Sequence, residues 1–268
     1  MPLLHALHEL RADLPPSAWT PHDPPLPGAF SQRCAPNGRL RFPHRWNGKR
    51  SVPRHQPMCL ASGPDLISDV IRKQGRWCDC GKAVRLWASL DGNTARPSWD
   101  HHNPSASPSP TGVLLEVGAN IGACTVELLL RTRATIIAVE PSPSNLFYLT
   151  RSLRLAAKRE PSIADRVVVL PFGAGDVANS SVPLFTQANN SGNSVLGRAF
   201  TADCSRDDVT CWRRNMHRGG TVSILPLDQV FPRGLGGVRL LKLDARAPAD
   251  LDPSTSALAY CSPNPCFP

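Results

Sequence analysis

Apolar positions crowd into the middle of this chain, and their period changes as they go. From Val113 they run as "VLLEV", stop at "GAN", and resume as "IGACTVELLL". A short strand therefore gives way to a tight turn and a helix from Ala123 to Arg131. The alternation repeats. "TIIAVE" (Thr135 to Glu140) reads as a strand, "PSNLFYLTRSLRLAAKR" (Pro143 to Arg159) as an amphipathic helix, and "RVVVLPF" (Arg166 to Phe172) as a third strand. Short apolar strands separated by helices predict parallel pairing with crossovers, a doubly wound, mostly parallel α/β sheet. Gly173 to Gly220 is a looser section rich in Gly, Asn and Ser. After it, "VSILPLDQVF" (Val222 to Phe231) supplies a short edge strand or helix, and "VRLLKLD" (Val238 to Asp244) a further strand.

Two helices precede the alternating region. "SGPDLISDVIRKQG" (Ser62 to Gly75) sets Ser62 three residues before Asp65, a Pro near the first turn, Leu66, Ile67, Val70 and Ile71 on one face, and Gly75 as a stop. Lys82 to Leu90 aligns Ala83, Leu86, Trp87 and Leu90. Both are expected to cover one edge of the sheet, with Trp77 and Trp87 as packing residues. Residues 1–60 have no sustained period and read as a mostly irregular Pro/Arg-rich region, followed by a helical lead-in over 61–92. Residues 93–110 read as a Pro/Ser-rich linker, 111–244 as the folded domain and 245–268 as an irregular tail. No internal repeat is apparent.

Composition adds little to this layout. A chain of 268 residues with 41% hydrophobic residues can bury one sizeable core. The net charge of +9 favours acidic partners in general. The basic clusters Arg41 to His55 and Trp212 to Gly220 contain few interleaved aromatics, so they read as solvated faces and not as a nucleic-acid site. The nine cysteines run from Cys34 to Cys266, and their one close pair, Cys78 and Cys80, lacks metal-site spacing. Reduced thiols are expected. With no signal-peptide pattern and no membrane-length apolar run, a cytoplasmic location is favoured. The sequons at Asn179 and Asn189 then read as chance, and His101-His102 as solvated.

The chemistry lies at the first turn. Gly118 and Gly122 allow positive φ and close approach of a ligand, and the helix that follows offers free N–H groups. Glu140, at the end of the second strand about twenty residues on, is placed to accept hydrogen bonds from ribose hydroxyls, so the guest contains adenosine. A dinucleotide such as NAD and S-adenosylmethionine both qualify. The dinucleotide fingerprint is broken, with Asn120 at its second glycine and Ala123 at its third. Glu116 would repel a pyrophosphate and attract a sulfonium or ammonium group. S-adenosylmethionine is therefore favoured over a dinucleotide. Glu127 reads as a helix-surface residue.

"EVGANIGACTVELLL", "AVEPSPSNLFYLTRSL", the "NNSGNSVLG" run and "ILPLDQV…VRLLKLD" together resemble the FkbM family of S-adenosylmethionine-dependent methyltransferases, over about Thr111 to Asp244. The resemblance implies a class I methyltransferase fold that transfers a methyl group to a hydroxyl, often on a sugar or natural product. It places Glu116, Gly118, Asn120 and Gly122 at the methionine end of the cofactor, Glu140 on the ribose, and the turn Phe172 to Asp176 beside the adenine. Asn193 and Ser194 match a segment near the pocket. The family pattern continues past "LLKLD" as Asp-x-Glu-Gly and a helix, whereas here "ARAPADLDPSTSALAYCSPNPCFP" follows Asp244. An incomplete sheet is expected: a truncated product, a shifted frame or a degenerate relative. Asp244 is the local candidate for a base or for positioning the acceptor, against a plain strand cap. "NPCF" (Asn264 to Phe267) imitates an amino-methyltransferase signature but does not end the fourth strand. The competing reading is an inactive, partner-binding remnant of such an enzyme, with an NAD-dependent oxidoreductase as a more distant alternative. Nothing in the sequence sets the oligomeric state.

Overall fold

A computed structural model describes residues 17–27, 32–35, 37–42, 55–77, 80–90, 112–197, 216–231 and 237–244. Its centre is a parallel four-stranded sheet in the order β10-β3-β4-β5, made of β3 (Val113–Val117), β4 (Thr135–Val139), β5 (Val167–Leu170) and β10 (Val238–Leu243). β3, β4 and β5 are buried along their whole lengths, which is why they read as unbroken apolar runs. The order steps from β3 through β4 to β5 on one side and returns to place β10 on the other. The switch point therefore lies between β3 and β10.

Alternate side chains on each strand feed two cores. Leu114, Ile136, Val167 and Val169 pack against four helices, α1 (Leu66–Gln74), α2 (Cys80–Ser89), α3 (Ala123–Arg131) and α4 (Pro143–Arg159). Leu115, Ile137, Val139, Val168 and Leu170 pack on the other face with Phe172, Val230 and Phe231. Among the described residues that second face carries only the four-residue α5 (Leu227–Val230), so the expected double winding is unequal. The two lead-in helices pack into the core, and the end of α2 reaches the edge strand β10, where Arg239 donates to the Leu90 carbonyl at 3.3 Å. Ile67, Ile71, Val84 and Trp87 belong to the main helical core.

Local chemistry sets the helix ends. α1 begins at Asp65, not Ser62: Asp65 Oδ2 accepts from the Ser68 N–H at 2.9 Å. It ends at Gly75, whose φ of 73° permits a bond from its N–H to the Ile71 carbonyl. The expected start of α2 at Lys82 moves back to Cys80. α3 is buried almost all round, and Glu127, expected at the surface, is 4% exposed and paired with Arg131. Charge neutralisation by the residue one turn on makes that burial tolerable.

The section read as loose holds β6 (Gly173–Ala174), β7 (Asn179–Gln187), β8 (Asn190–Leu196) and the start of β9 (Met216–Leu225). β7 and β8 form a hairpin through Ala188 and Asn189, the latter at φ 63°. β9 pairs antiparallel with β7 and parallel with β6. The amino-terminal part is likewise not detached. β1 (Arg39–Arg41) pairs with β2 (His55–Pro57), and Trp19 exchanges two backbone hydrogen bonds of 2.8 Å with Val169, closing the free edge of β5. Trp19, Leu40, Met58 and Leu60 are all core residues. The 93–110 linker, His101-His102, the tail and "NPCF" lie outside the described residues.

The cysteine expectation is overturned. Cys34 is bonded to Cys59 and Cys80 to Cys124, with Cα separations of 4.8 and 4.7 Å. The argument for a reducing compartment from unpaired thiols therefore lapses. No helix among the described residues is long and apolar enough to cross a membrane.

The Cys80–Cys124 bond closes a chain separation of 44 residues and ties α2 to the first turn of α3. Replacing both cysteines by alanine is expected to lower unfolding free energy by about 2–4 kcal/mol, mainly through a freer unfolded chain. Urea denaturation of the oxidised wild type and the double variant measures this. Equal midpoints and slopes would show that the bond contributes nothing.

Candidate functional site

At the carboxyl end of β3 the chain makes a turn in which every second residue is left-handed: Gly118 at φ 83°, Asn120 at 53° and Gly122 at 85°. A side chain at Gly118 would meet the Asp244 carbonyl, and one at Gly122 would meet the Leu149 side chain, so close packing requires glycine at both positions as well as torsion. The Gly118 and Ala119 N–H groups donate to the Val139 carbonyl at 2.9 and 3.1 Å, anchoring the turn to the end of β4.

Glu140 organises the turn from the next strand. Its Oε2 accepts from the Asn120 N–H at 2.8 Å, and its Oε1 accepts from the Ser142 N–H at 2.9 Å and Asn145 Nδ2 at 3.1 Å. The carboxylate is 4% exposed. Burial pushes its pKa above the ordinary value. The three donors oppose that rise and the charge of Asp244 adds to it. The second core partner of the site, Asn145, was not anticipated, although it stands only five residues beyond Glu140 in the first turn of α4. Its Oδ1 is buried without a hydrogen-bond partner.

Glu116 is wholly buried one step before the turn. Its Oε2 accepts from Thr125 Oγ1 at 2.7 Å, and its Oε1 lies 3.1 Å from Lys242 Nζ. Lys242 faces Glu116 directly in the β10–β3 register and also lies 3.6 Å from Asp244 Oδ2. Burial pulls the Lys242 pKa down, but the two carboxylates outweigh it and the net shift is upward. Glu116 was expected to face a ligand's cation; in this structure the cation beside it is Lys242. Lys242 was missed because its partner is adjacent only across strands. The available signal was its position two residues before Asp244, on the same face of β10.

The β7–β8 hairpin covers this region. Asp65 Oδ1 accepts from the Ser191 N–H at 2.9 Å and from Ser191 Oγ at 2.8 Å, and the Leu66 N–H donates to the Asn189 carbonyl at 2.8 Å. Asn145 Nδ2 lies 3.4 Å from the Ser191 carbonyl, and a side chain at Gly192 would press on Ile67 and Asn120. Ser191 and Gly192 therefore meet the turn. Asn193 and Ser194 bond within the hairpin instead, Asn193 to Gln187 at 2.6 Å and Ser194 to the Ser191 carbonyl at 3.0 Å. Phe172 is buried in the opposite core beside Val230 and Phe231, and Asp176 is exposed. A cavity of about 390 Å³ lies elsewhere, between β1, β2 and the end of α4. Among the described residues no group of three or more His, Cys, Asp or Glu is arranged to hold a metal.

No protein-family model matches the chain, and no curated protein matches it. Among solved structures it matches the Haemonchus contortus phosphoethanolamine N-methyltransferase 2 in complex with S-adenosyl-L-methionine, at 16% identity and a TM-score of 0.19. That match covers 43% of this chain and 26% of the other, so the chain spans about a quarter of that protein. At this score the likeness carries no argument, and the reading of the site rests on its own geometry.

The raised Glu140 pKa has a direct consequence. The folded chain binds the proton more tightly than the unfolded one, so the stabilising contribution is fully present below the ordinary value of 4.5 and is lost as pH rises through the folded value. Glu140→Gln, which keeps the shape without the charge, is expected to lose less stability than the wild type between pH 4 and pH 7. Chemical denaturation of both chains across that range tests the sign; parallel curves would contradict it.

Proposed function

We propose that this chain binds S-adenosylmethionine at the β3–α3 turn, as a methyltransferase of FkbM type that acts on a hydroxyl of a sugar or small natural product. The observation that carries the reading is the position of Glu140. It is a carboxylate at the carboxyl end of β4, hydrogen-bonded to the turn that ends β3, at the switch point of a parallel sheet. A ribose hydroxyl would bond its remaining acceptor site, and the unpaired Asn145 Oδ1 offers a further acceptor for a donor of the same ligand.

Charge separates the two adenosine-containing guests. Glu116, Lys242 and Asp244 together leave one negative charge beside the turn, and Glu140 adds another when ionised. A pyrophosphate would be repelled there, while a sulfonium or ammonium end would be attracted. When bound, the cofactor supplies an electrophilic methyl group. Gly118, Asn120 and Gly122 would let it approach the backbone, and the Phe172–Asp176 turn would border its adenine. Asn193 and Ser194 stand on the hairpin that closes over it. Asp244, 63% exposed at the end of β10, has the role of orienting the reacting groups, as proton acceptor or through the cofactor's cationic end.

A second reading has one observation in its favour. Because Glu140 is buried and the hairpin meets its partners Asn120 and Asn145, the chain resembles a closed module, and a methyltransferase-like module that binds without turnover fits that state.

Calorimetric titration with S-adenosylhomocysteine separates the readings from the alternatives. Micromolar binding is expected for the wild type, with at least tenfold weakening in both Glu140→Ala and Glu140→Gln and no heat from NAD. The glutamine variant guards against an unfolded alanine variant, because orphaning the buried N–H groups costs about 1–3 kcal/mol each. A folded chain that takes up NAD and ignores S-adenosylhomocysteine would replace this reading with the oxidoreductase one.

A further inference from the structure

The carboxylates at the switch point are not equivalent. Glu116 has no solvent exposure; Thr125 Oγ1 donates a hydrogen bond to its Oε2, and its Oε1 is ion-paired with Lys242 Nζ at 3.1 Å. Asp244 is largely exposed, and the same lysine holds its Oδ2 at 3.6 Å. Its backbone fixes it against the turn: the Asp244 N–H donates to the Val117 carbonyl at 2.9 Å, and its own carbonyl packs on Gly118 so closely that no side chain fits there. A ligand resting on the Gly118 turn therefore meets Asp244 and cannot reach Glu116 without first displacing an ammonium group.

We infer that Lys242 is a positioning residue that neutralises Glu116 and holds the Asp244 carboxylate over the Gly118 turn as the contact for the ligand's cationic group. The inference rests on the S-adenosylmethionine reading and specifies its methionine end. Two cations of that ligand qualify, the α-ammonium and the sulfonium. Both are present in S-adenosylmethionine, S-adenosylhomocysteine keeps only the ammonium, and 5′-methylthioadenosine has neither. The adenosine part, common to all three, is left to Glu140. Lys242 touches no reacting atom; it acts through Asp244. The upward pKa shift of Lys242 agrees with this arrangement, because it keeps the ammonium charged wherever the carboxylates are ionised.

The test is the affinity of the three ligands, by calorimetry, for the wild type and for Asp244→Asn, Lys242→Met and Lys242→Arg. Asp244→Asn leaves the Glu116–Lys242 pair intact. It is expected to weaken S-adenosylmethionine about tenfold while 5′-methylthioadenosine changes less than twofold. S-adenosylhomocysteine follows S-adenosylmethionine if the ammonium is the contact, and 5′-methylthioadenosine if the sulfonium is. Lys242→Met is expected to reproduce the altered ratio, and Lys242→Arg to restore it. A purely structural lysine would weaken all three ligands alike in Lys242→Met. Either that result or an unchanged ratio in Asp244→Asn overturns the inference and leaves the cofactor reading standing. Absence of binding of every ligand to the folded wild type overturns both.

Discussion

Glu116 stands on an interior strand of a parallel sheet with no contact to water, and an uncompensated carboxylate there would cost several kcal/mol. Its compensation comes from two separate elements, a hydroxyl on α3 and an ammonium on β10. That requirement constrains the sheet as much as hydrophobic packing does. Side chains alternate faces along a strand, so a slip of β10 by one residue would turn Lys242 away and leave Glu116 unpaired. A hydrophobic pair of the same volume would satisfy the sheet as well or better. Such a pair would neither fix the register of β10 as strictly nor hold Asp244 beside the turn.

The turn itself is a second case of polar groups deciding geometry. A non-glycine residue in the left-handed region costs free energy, and Asn120 accepts that conformation with its side-chain oxygen bonded to the next N–H at 2.7 Å. Its own N–H points at Glu140. The carboxylate thereby links the ends of β3 and β4 to the start of α4, through Asn120, Ser142 and Asn145. Disulfide Cys80–Cys124 holds α3 immediately after the turn, and Trp19 seals the far edge at β5. The switch point is thus braced on all sides by described structure except beyond β10.

The parts of this architecture that were legible in the chain are those with a one-dimensional signature. β3 and α4 end where their periodicity ends, and β4, β5 and β10 differ from the expected spans by one or two residues at a boundary. Glu140 and the glycine turn were readable because their spacing is local and tied to torsion. What escaped depends on three-dimensional adjacency or on weak local signals. The β7–β9 strands are half-exposed and rich in Asn, Ser, Gly and Thr between their apolar residues, a composition that reads as loop. Cys34–Cys59 and Cys80–Cys124 join partners 25 and 44 residues apart with no spacing motif. Glu116–Lys242 exists only because β10 returns beside β3. Asp65 displaced Ser62 as the helix cap because its two oxygens serve both α1 and the distant Ser191, a double duty that no local pattern encodes.

That double duty sets the terms on which a ligand could enter. The hairpin is held over the turn by the two bonds from Ser191 to Asp65, the Leu66–Asn189 backbone bond and the weaker Asn145–Ser191 contact. At a net 0.5–1.5 kcal/mol each, lifting it away costs about 2–6 kcal/mol. Every 1.4 kcal/mol of that cost reduces apparent affinity about tenfold, because only the open fraction binds. A ligand must therefore recover the difference from the groups the hairpin had occupied. Asn145 is suited to this: its Nδ2 would exchange the Ser191 carbonyl for an acceptor on the ligand, while Glu140 keeps its bonds to Asn120 and Ser142. A guest without a polar group at that place has nothing to offer in return, so the closed hairpin favours a hydroxyl-bearing guest over a wholly apolar one.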